Sequence, residues 1–150
     1  MNRKIRVYIA SPYTKGDTAV NVRRQLDAVE ELMNLGFAPF APLYSHFQHM
    51  VHPRPYQDWI DIDLQWVEAC DCLLRLDGES SGADGEVEFA KQLGIPVYYS
   101  VEDLVSVEVC ENSVDILNGD YNKFKTSFKS LPHQLQVRFM TEILEQVNEE

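Results

Sequence analysis

The stretch Trp59-Ile60-Asp61-Ile62-Asp63-Leu64-Gln65-Trp66-Val67-Glu68-Ala69-Cys70-Asp71-Cys72-Leu73-Leu74-Arg75-Leu76 changes its hydrophobic period part-way along. From Pro55 to Cys70 apolar residues recur at helical spacing, whereas Cys72 to Leu76 is a compact apolar run of strand length. A helix feeding a buried strand is part of a βαβ unit, and the flanking sequence supplies the rest. Upstream, residues 5–10 (Ile-Arg-Val-Tyr-Ile-Ala) alternate and are rich in β-branched and aromatic types until Ser11-Pro12 breaks the run. Val22, Leu26, Val29 and Met33 then form a helical stripe across Thr18 to Leu35, with Asp17 or Thr18 as the N-cap and Gly36 as the terminator. Phe37 to Ala41 reads as a short strand despite Pro39. Downstream, Gly82 to Leu93 is helical and Ile95 to Tyr99 is a strand. The order βαβαβαβ predicts a parallel sheet with helices on both faces, because parallel neighbours need right-handed crossover connections.

In such a fold ligands sit beyond the carboxyl ends of the strands, here Ser11 to Gly16, Pro42 to His52 and Asp77 to Gly82. Residues 42–55 hold three prolines and three histidines and read as a long loop. After Ser100 the chain is more polar, and residues 131–147 carry an amphipathic stripe of Leu135, Phe139, Ile143 and Val147. The expected organisation is one α/β domain, with residues 1–100 as its core and 101–150 as a helical C-terminal extension.

The 150 residues are 45% hydrophobic and 25% charged, enough to bury roughly two-thirds of the unfolded surface. A formal net charge of −11 argues against a nucleic acid polymer as partner. No apolar run approaches the ~20 residues of a spanning helix, and the N-terminus lacks a signal peptide's apolar region, so neither membrane nor secretion is expected. Three cysteines, two of them in Cys70-Asp71-Cys72 and too close for an ordinary bridge, point to reduced thiols and a cytoplasmic setting. The charge is uneven. Residues 1–60 carry seven basic and five acidic side chains, and residues 61–150 carry six and nineteen. A small anion would be met by the first half, where Lys15, Arg23 and Arg24 follow the first strand, although Arg23 and Arg24 also suit a solvated helix face.

Two acids fall on apolar helix faces. With Asp63 at the origin of a helical wheel, Trp59, Ile60, Trp66, Val67 and Cys70 lie within about 60° of it, and Asp58, Asp61, Gln65 and Glu68 lie opposite. Around Glu86 the same arc holds Ala83, Phe89, Ala90 and Leu93, with Glu88 facing outward. An inward carboxylate loses several kcal/mol of hydration unless it is paired, hydrogen-bonded or protonated. Glu86 also lies in the first turn of its helix, where the dipole favours an acid. The alternative is a carboxylate pair at the sheet edge, one ionised and one raised in pKa, as glycosyl-transfer chemistry requires.

Three segments carry a resemblance: Tyr8 in Val-Tyr-Ile-Ala, residues 63–71 running from Asp63 into a strand, and Ser80-Ser81-Gly82-Ala83-Asp84-Gly85-Glu86. Together, across residues 5–100, they resemble the nucleoside 2-deoxyribosyltransferase superfamily, which includes nucleoside 5′-monophosphate N-glycosidases. The resemblance implies a Rossmann-like (flavodoxin-like) fold. It implies Glu86 as the nucleophile on the anomeric carbon, Asp63 as the residue handling the proton of the leaving base, and Tyr8 as the group orienting Glu86. Water as acceptor gives hydrolysis, and a second base gives transfer. Six residues before the nucleophile, transferases of that family carry an aspartate and nucleotide hydrolases a serine that contacts the 5′-phosphate; here it is Ser80.

The Gly-rich stretch from Gly78 to Gly85, including Gly82, opens a helix whose free backbone N–H groups suit an anion. Ser11 at the strand end, Thr14 and Lys15 are further candidate substrate contacts. His46, His49 and His52 are spaced by three, but with no helix to align them a pocket wall, with His46 facing substrate and Phe47 stacking on a base, is the better reading than zinc. Trp59 and Tyr44 suit either the core or that wall. No metal and no organic cofactor is expected, and the partner is a small nucleoside or nucleotide. The resemblance also implies a homo-oligomer whose neighbouring subunit completes the site, with Asn112 or Ser113 as candidates. The rivals to a hydrolase are a base-exchanging transferase and a non-catalytic nucleotide-binding module.

Overall fold

The computed structural model describes residues 3–106, Lys129 and Gln136. The chain divides into two compact units, one of them Arg3–Val101. In the other, residues 102–106, Lys129 and Gln136 are helical. Asn112, Ser113 and, apart from Gln136, the helix expected over 131–147 lie outside the described residues.

Within Arg3–Val101 the elements are β1 (Arg6–Ala10), α1 (Thr18–Asn34), β2 (Ala38–Phe40), a 3-10 turn (Pro42–Tyr44), α2 (Ser45–Val51), α3 (Tyr56–Ala69), β3 (Cys72–Arg75), α4 (Ser81–Gln92) and β4 (Val97–Tyr98). The four strands are parallel in the order β2-β1-β3-β4, a Rossmann-like α/β fold with the strand order of the flavodoxin type. No described helix is long and apolar enough to cross a membrane. Pro39 is tolerated because β2 is an edge strand.

The strand order reverses direction after β2. Right-handed crossovers then put α1 on one face and α3 and α4 on the other. Tyr8, Ala10 and Leu73 point to the second face, where they meet Val67 and Cys70 of α3 and its C-cap and Ala83, Val87 and Ala90 of α4. Register pairs Tyr8 with Phe40 on one side and Leu73 on the other, so Tyr8 sits in the middle of that layer.

Asp17 is the N-cap of α1, its carboxylate accepting from the Ala19 and Val20 amides, and Gly36 follows the helix with φ at +90°. The stripe expected on α1 is corrected. Met33 is 56% exposed, and the inward face is Asn21, Val22, Gln25, Ala28, Val29 and Leu32. A hydrophobic wheel overlooks it because two inward residues are polar. Asn21 Nδ2 donates to the Tyr13 and Lys15 carbonyls, at 2.9 and 2.8 Å. Gln25, fully buried, donates from Nε2 to the Ile9 carbonyl (2.9 Å) and Ser11 Oγ (2.8 Å), and its Oε1 accepts from the Leu43 amide (2.9 Å). One side chain thus ties the loop after β1 to the loop after β2.

The long loop expected over residues 42–55 is also corrected, since it contains the 3-10 turn and α2. Pro42 occupies the first position of the turn, where its missing N–H costs nothing, and residues 43–52 contain no proline or glycine to stop a helix.

Gln25→Leu keeps the volume but strands the Leu43 amide and Ser11 hydroxyl, and should cost about 2–4 kcal/mol. Calorimetry should show a fall in Tm of roughly 5–15 °C. Met33→Ala should move it by less than about 2 °C. Equal effects from the two substitutions would refute the assigned face.

Candidate active site

The reversal of strand order between β1 and β3 opens a crevice at the carboxyl edge of the sheet, and a cavity of about 440 Å³ occupies it. All three loops named from the sequence contribute: Ser11, Thr14 and Lys15 after β1, Ser45, His46 and His49 after β2, and Ser80 and Gly82 at the start of α4. Asp63 and Glu86 line it from α3 and α4. Tyr8 reaches it through Glu86.

Glu86 is 6% exposed, and its neighbour Glu88 faces outward, as the wheel expects. The Tyr8 hydroxyl donates to Glu86 Oε1 at 2.9 Å. Burial pushes the Glu86 carboxyl up to about 8. The charge of Asp63 adds to that rise, while the Tyr8 hydrogen bond and the Arg75 charge oppose it. Burial alone raises Asp63 to about 7. The Tyr8 phenol is held well above its ordinary value by burial and by the charges of Glu86 and Asp63, so it stays a donor. Such a pair titrates as a unit.

The arc around Asp63 is corrected in part. Val67 and Cys70 are buried, but Trp59, Ile60 and Asp63 itself are half-buried in the cavity wall, and Trp66 is 45% exposed while its ring stacks on Phe40 at 4.4 Å. The chain runs from α3 directly into β3, so the C-terminal half of the helix covers the sheet and the N-terminal half overhangs its carboxyl edge.

Ser80 is the N-cap of α4, its Oγ accepting from the Ala83 amide at 3.2 Å. A hydroxyl has a proton to give besides, so the cap leaves Ser80 a donor toward an anion. At Gly82 a Cβ would meet the tip of the exposed Tyr56 side chain, its hydroxyl at 2.9 Å, which can swing aside. Lys15 pairs with Glu79 at 3.2 Å, both side chains largely exposed. Arg23 pairs with Asp27 on the outside of α1, and neither Arg23 nor Arg24 lines the cavity. The cavity's second cation is Arg54, which sequence reasoning missed; its position between Pro53 and Pro55 beside the histidines was the signal for it.

A helix does align His46 and His49, contrary to expectation, but each engages an aromatic donor or acceptor. The Tyr13 hydroxyl lies 2.7 Å from His46 Nδ1, and the Trp59 indole donates to His49 Nδ1 at 3.0 Å. Among the described residues no group of three or more His, Cys, Asp or Glu side chains is disposed to hold a metal ion. Cys70 and Cys72 are buried and form no disulfide. Arg75, buried beneath the loop after β3, binds Asp84 at 2.8 Å, the Gly78 carbonyl at 2.7 Å and the Leu76 carbonyl. That brace holds the turn carrying Ser80. Gly78 is required in it, with φ at +118° and a position where a Cβ would meet Pro12 at 2.8 Å.

The class defined here is a parallel α/β protein with a buried glutamate and a half-buried aspartate lining a cavity at the strand-order switch point. Residues 5–100 match the family model described as Domain of unknown function (DUF7768), and the chain belongs to that family. No curated protein matches it. Among solved structures the chain is similar to a 2-deoxyribosyltransferase from the psychrotolerant bacterium Bacillus psychrosaccharolyticus. Identity is 20% over 61% of this chain and 69% of that one, with a TM-score of 0.47.

The raised carboxyls set a sign for pH-dependent stability. Folded Glu86 holds its proton up to about pH 8, against an ordinary value of 4.5, so the native state binds more protons between those limits. Its contribution is therefore intact in acid and is lost as pH rises through neutrality. Glu86→Gln, which keeps an acceptor for Tyr8, should raise Tm by several degrees at pH 9 and by much less at pH 5. Parallel Tm profiles for the two proteins across that range would exclude a buried, proton-holding Glu86.

Proposed function

We propose that the protein cleaves the N-glycosidic bond of a nucleoside 5′-monophosphate, with Glu86 as nucleophile, Asp63 as acid and then base, and Tyr8 as the group that orients Glu86. The observation carrying this reading is the Tyr8–Glu86 hydrogen bond at the edge of a cavity that Asp63 also lines. Tyr8 engages Oε1, which leaves Oε2 for the anomeric carbon. As Oε2 bonds to C1′, the C1′–N bond breaks and the base departs with the Asp63 proton. Water then attacks C1′, Asp63 takes its proton, and the ester bond to Glu86 breaks, restoring both carboxyls. Burial holds Glu86, at about 8, above Asp63, at about 7; the Tyr8 hydrogen bond and the Arg75 charge oppose that rise, and the reaction runs through the singly protonated form in which Glu86 is ionised and Asp63 holds the proton. A second base in place of water completes a transfer instead.

The phosphate role of Ser80 rests on its free hydroxyl proton at the α4 N-terminus and on Lys15 across the cavity mouth. The bound sugar phosphate displaces Glu79 from Lys15, an exchange that costs little because exposed ion pairs contribute about 0–1 kcal/mol. We further propose a cytoplasmic protein that acts as a homo-oligomer without metal or organic cofactor.

The test is a chromatographic screen of nucleosides and their 5′-monophosphates, with and without a second free base. Free base from monophosphates alone is the expected result. New nucleoside would assign a transferase, and binding without turnover would leave a nucleotide-binding module. Glu86→Gln should lower kcat by at least about 10³-fold and Glu88→Gln by less than about twofold; the reverse result would move the nucleophile to Glu88. The profile of kcat/KM against pH should be bell-shaped, because only the singly protonated pair is active. Ser80→Asp, itself a good N-cap, should raise KM for monophosphates at least about tenfold more than for nucleosides. Equal loss for both would remove phosphate from the account.

A further inference from the structure

Two histidines line the cavity from α2, and their hydrogen bonds differ in one respect. His46 Nδ1 faces a tyrosine hydroxyl, which can donate or accept, so its tautomer is open. His49 Nδ1 faces the indole N–H of Trp59 at 3.0 Å, with the Arg54 amide also directed at it from 3.5 Å. Both are donors only. In neutral imidazole one nitrogen accepts and the other carries the proton, so the proton of His49 is on Nε2. That nitrogen has no partner among the described residues, and His49 is half-buried in the cavity wall.

Trp59 stands one turn before Asp63 on the same face of α3, and both line the cavity. Trp59 therefore draws the His49 ring toward the side of the cavity where Asp63 hands its proton to the leaving base. The wall there is aromatic, the His49 and Trp59 rings meeting edge to face with centroids 5.8 Å apart and 66° between their planes, so a planar base can stack on one ring while the other meets its edge.

We propose that His49 reads the nucleobase through an Nε2–H donor whose place on the ring is fixed by Trp59, so that the site selects bases presenting an oxo group there over bases presenting an amino group. The proposal rests on the nucleoside-cleaving reading of the cavity. An Nε2–H meets an oxo oxygen as donor to acceptor. Against an amino group it sets donor against donor and leaves both polar groups unpaired. His49 is then a specificity residue, and Trp59 is a positioning residue acting through it.

The experiment is nitrogen NMR on the full chain with ¹⁵N-labelled histidine, the His49 signals being those lost in His49→Gln. Wild type should show a bare Nδ1 and a protonated Nε2, and Trp59→Phe should show a mixture of tautomers at His49. Inosine 5′-monophosphate should shift the Nε2–H signal on binding, and adenosine 5′-monophosphate should bind at least about tenfold more weakly. A proton on Nδ1 in wild type overturns the proposal, as does equal response, or no response, to the two nucleotides. Should His49→Gln fail to fold, the His49 signals are assigned by elimination from His46→Gln, His52→Gln and His133→Gln, and the wild-type spectra then decide the tautomer. The readout is binding, so the two readings fail separately. The expected shifts without base release from any nucleotide would sink the cleavage reaction but not base reading by His49, whereas equal kcat/KM for inosine and adenosine 5′-monophosphates would sink base reading by His49 and leave the cleavage reaction standing.

Discussion

A carboxyl group with almost no access to water is the constraint around which this unit is arranged. Glu86 lies against the Tyr8 hydroxyl, and Tyr8 is itself fully buried on β1, flanked in register by Phe40 and Leu73. Removing a carboxylate from water costs several kcal/mol unless something replaces the hydration. Here one hydrogen bond and the more distant Arg75 charge replace part of it, and the raised pKa records the shortfall. The tyrosine can fill this role because β1 is an inner strand, held on both sides, and cannot shift to release it. The sheet order and the chemistry of the pair are in this sense one fact.

The second requirement is that loops at the carboxyl edge stay open without losing their backbone partners. Gln25 and Asn21 meet it from α1 and Arg75 meets it from β3, each binding carbonyls or amides of loops that line the cavity. Such groups cost desolvation, but every buried side-chain nitrogen and oxygen among the described residues finds a partner. A fully satisfied buried polar group fixes geometry in a way that an apolar one does not. The amide of Gln25 bonds to both the loop after β1 and the loop after β2.

These braces mark where sequence reading stops. The alternation of β1, the helical period of α3 and α4 and the inward position of Glu86 were legible, because burial writes a period into composition. Asn21 and Gln25 break that period, and a wheel that counts only apolar residues turns α1 toward Met33 instead. For α2 the prolines at both ends read as loop, although they only bracket a helix. Trp59 and Ile60 show a third limit: a cavity wall is as apolar as a core, and only the overhang of α3 beyond the sheet separates the two. The Tyr8–Glu86 contact itself spans 78 residues and has no local signature, so it came from the resemblance, whereas the Trp59–His49 contact had no signal at all.

A site of this kind works against the stability of its own fold, and the balance explains why so few residues carry it. Glu86 and Asp63 both oppose folding at neutral and alkaline pH, and Gly78 gives up a side chain so that the turn before α4 can pass Pro12. None of these groups improves the packing of a four-stranded sheet. The two carboxyls each respond to the other's charge. With Asp63 neutral, the charge of Glu86 meets no repulsion, and with Glu86 ionised, Asp63 is discouraged from losing its proton. Burial raises both groups, and the charge of Asp63 raises Glu86 further, so the carboxyl that ionises first makes the other hold its proton more firmly. The desolvation that weakens the fold is what brings both carboxyls into the range where a proton can be held or released near neutral pH.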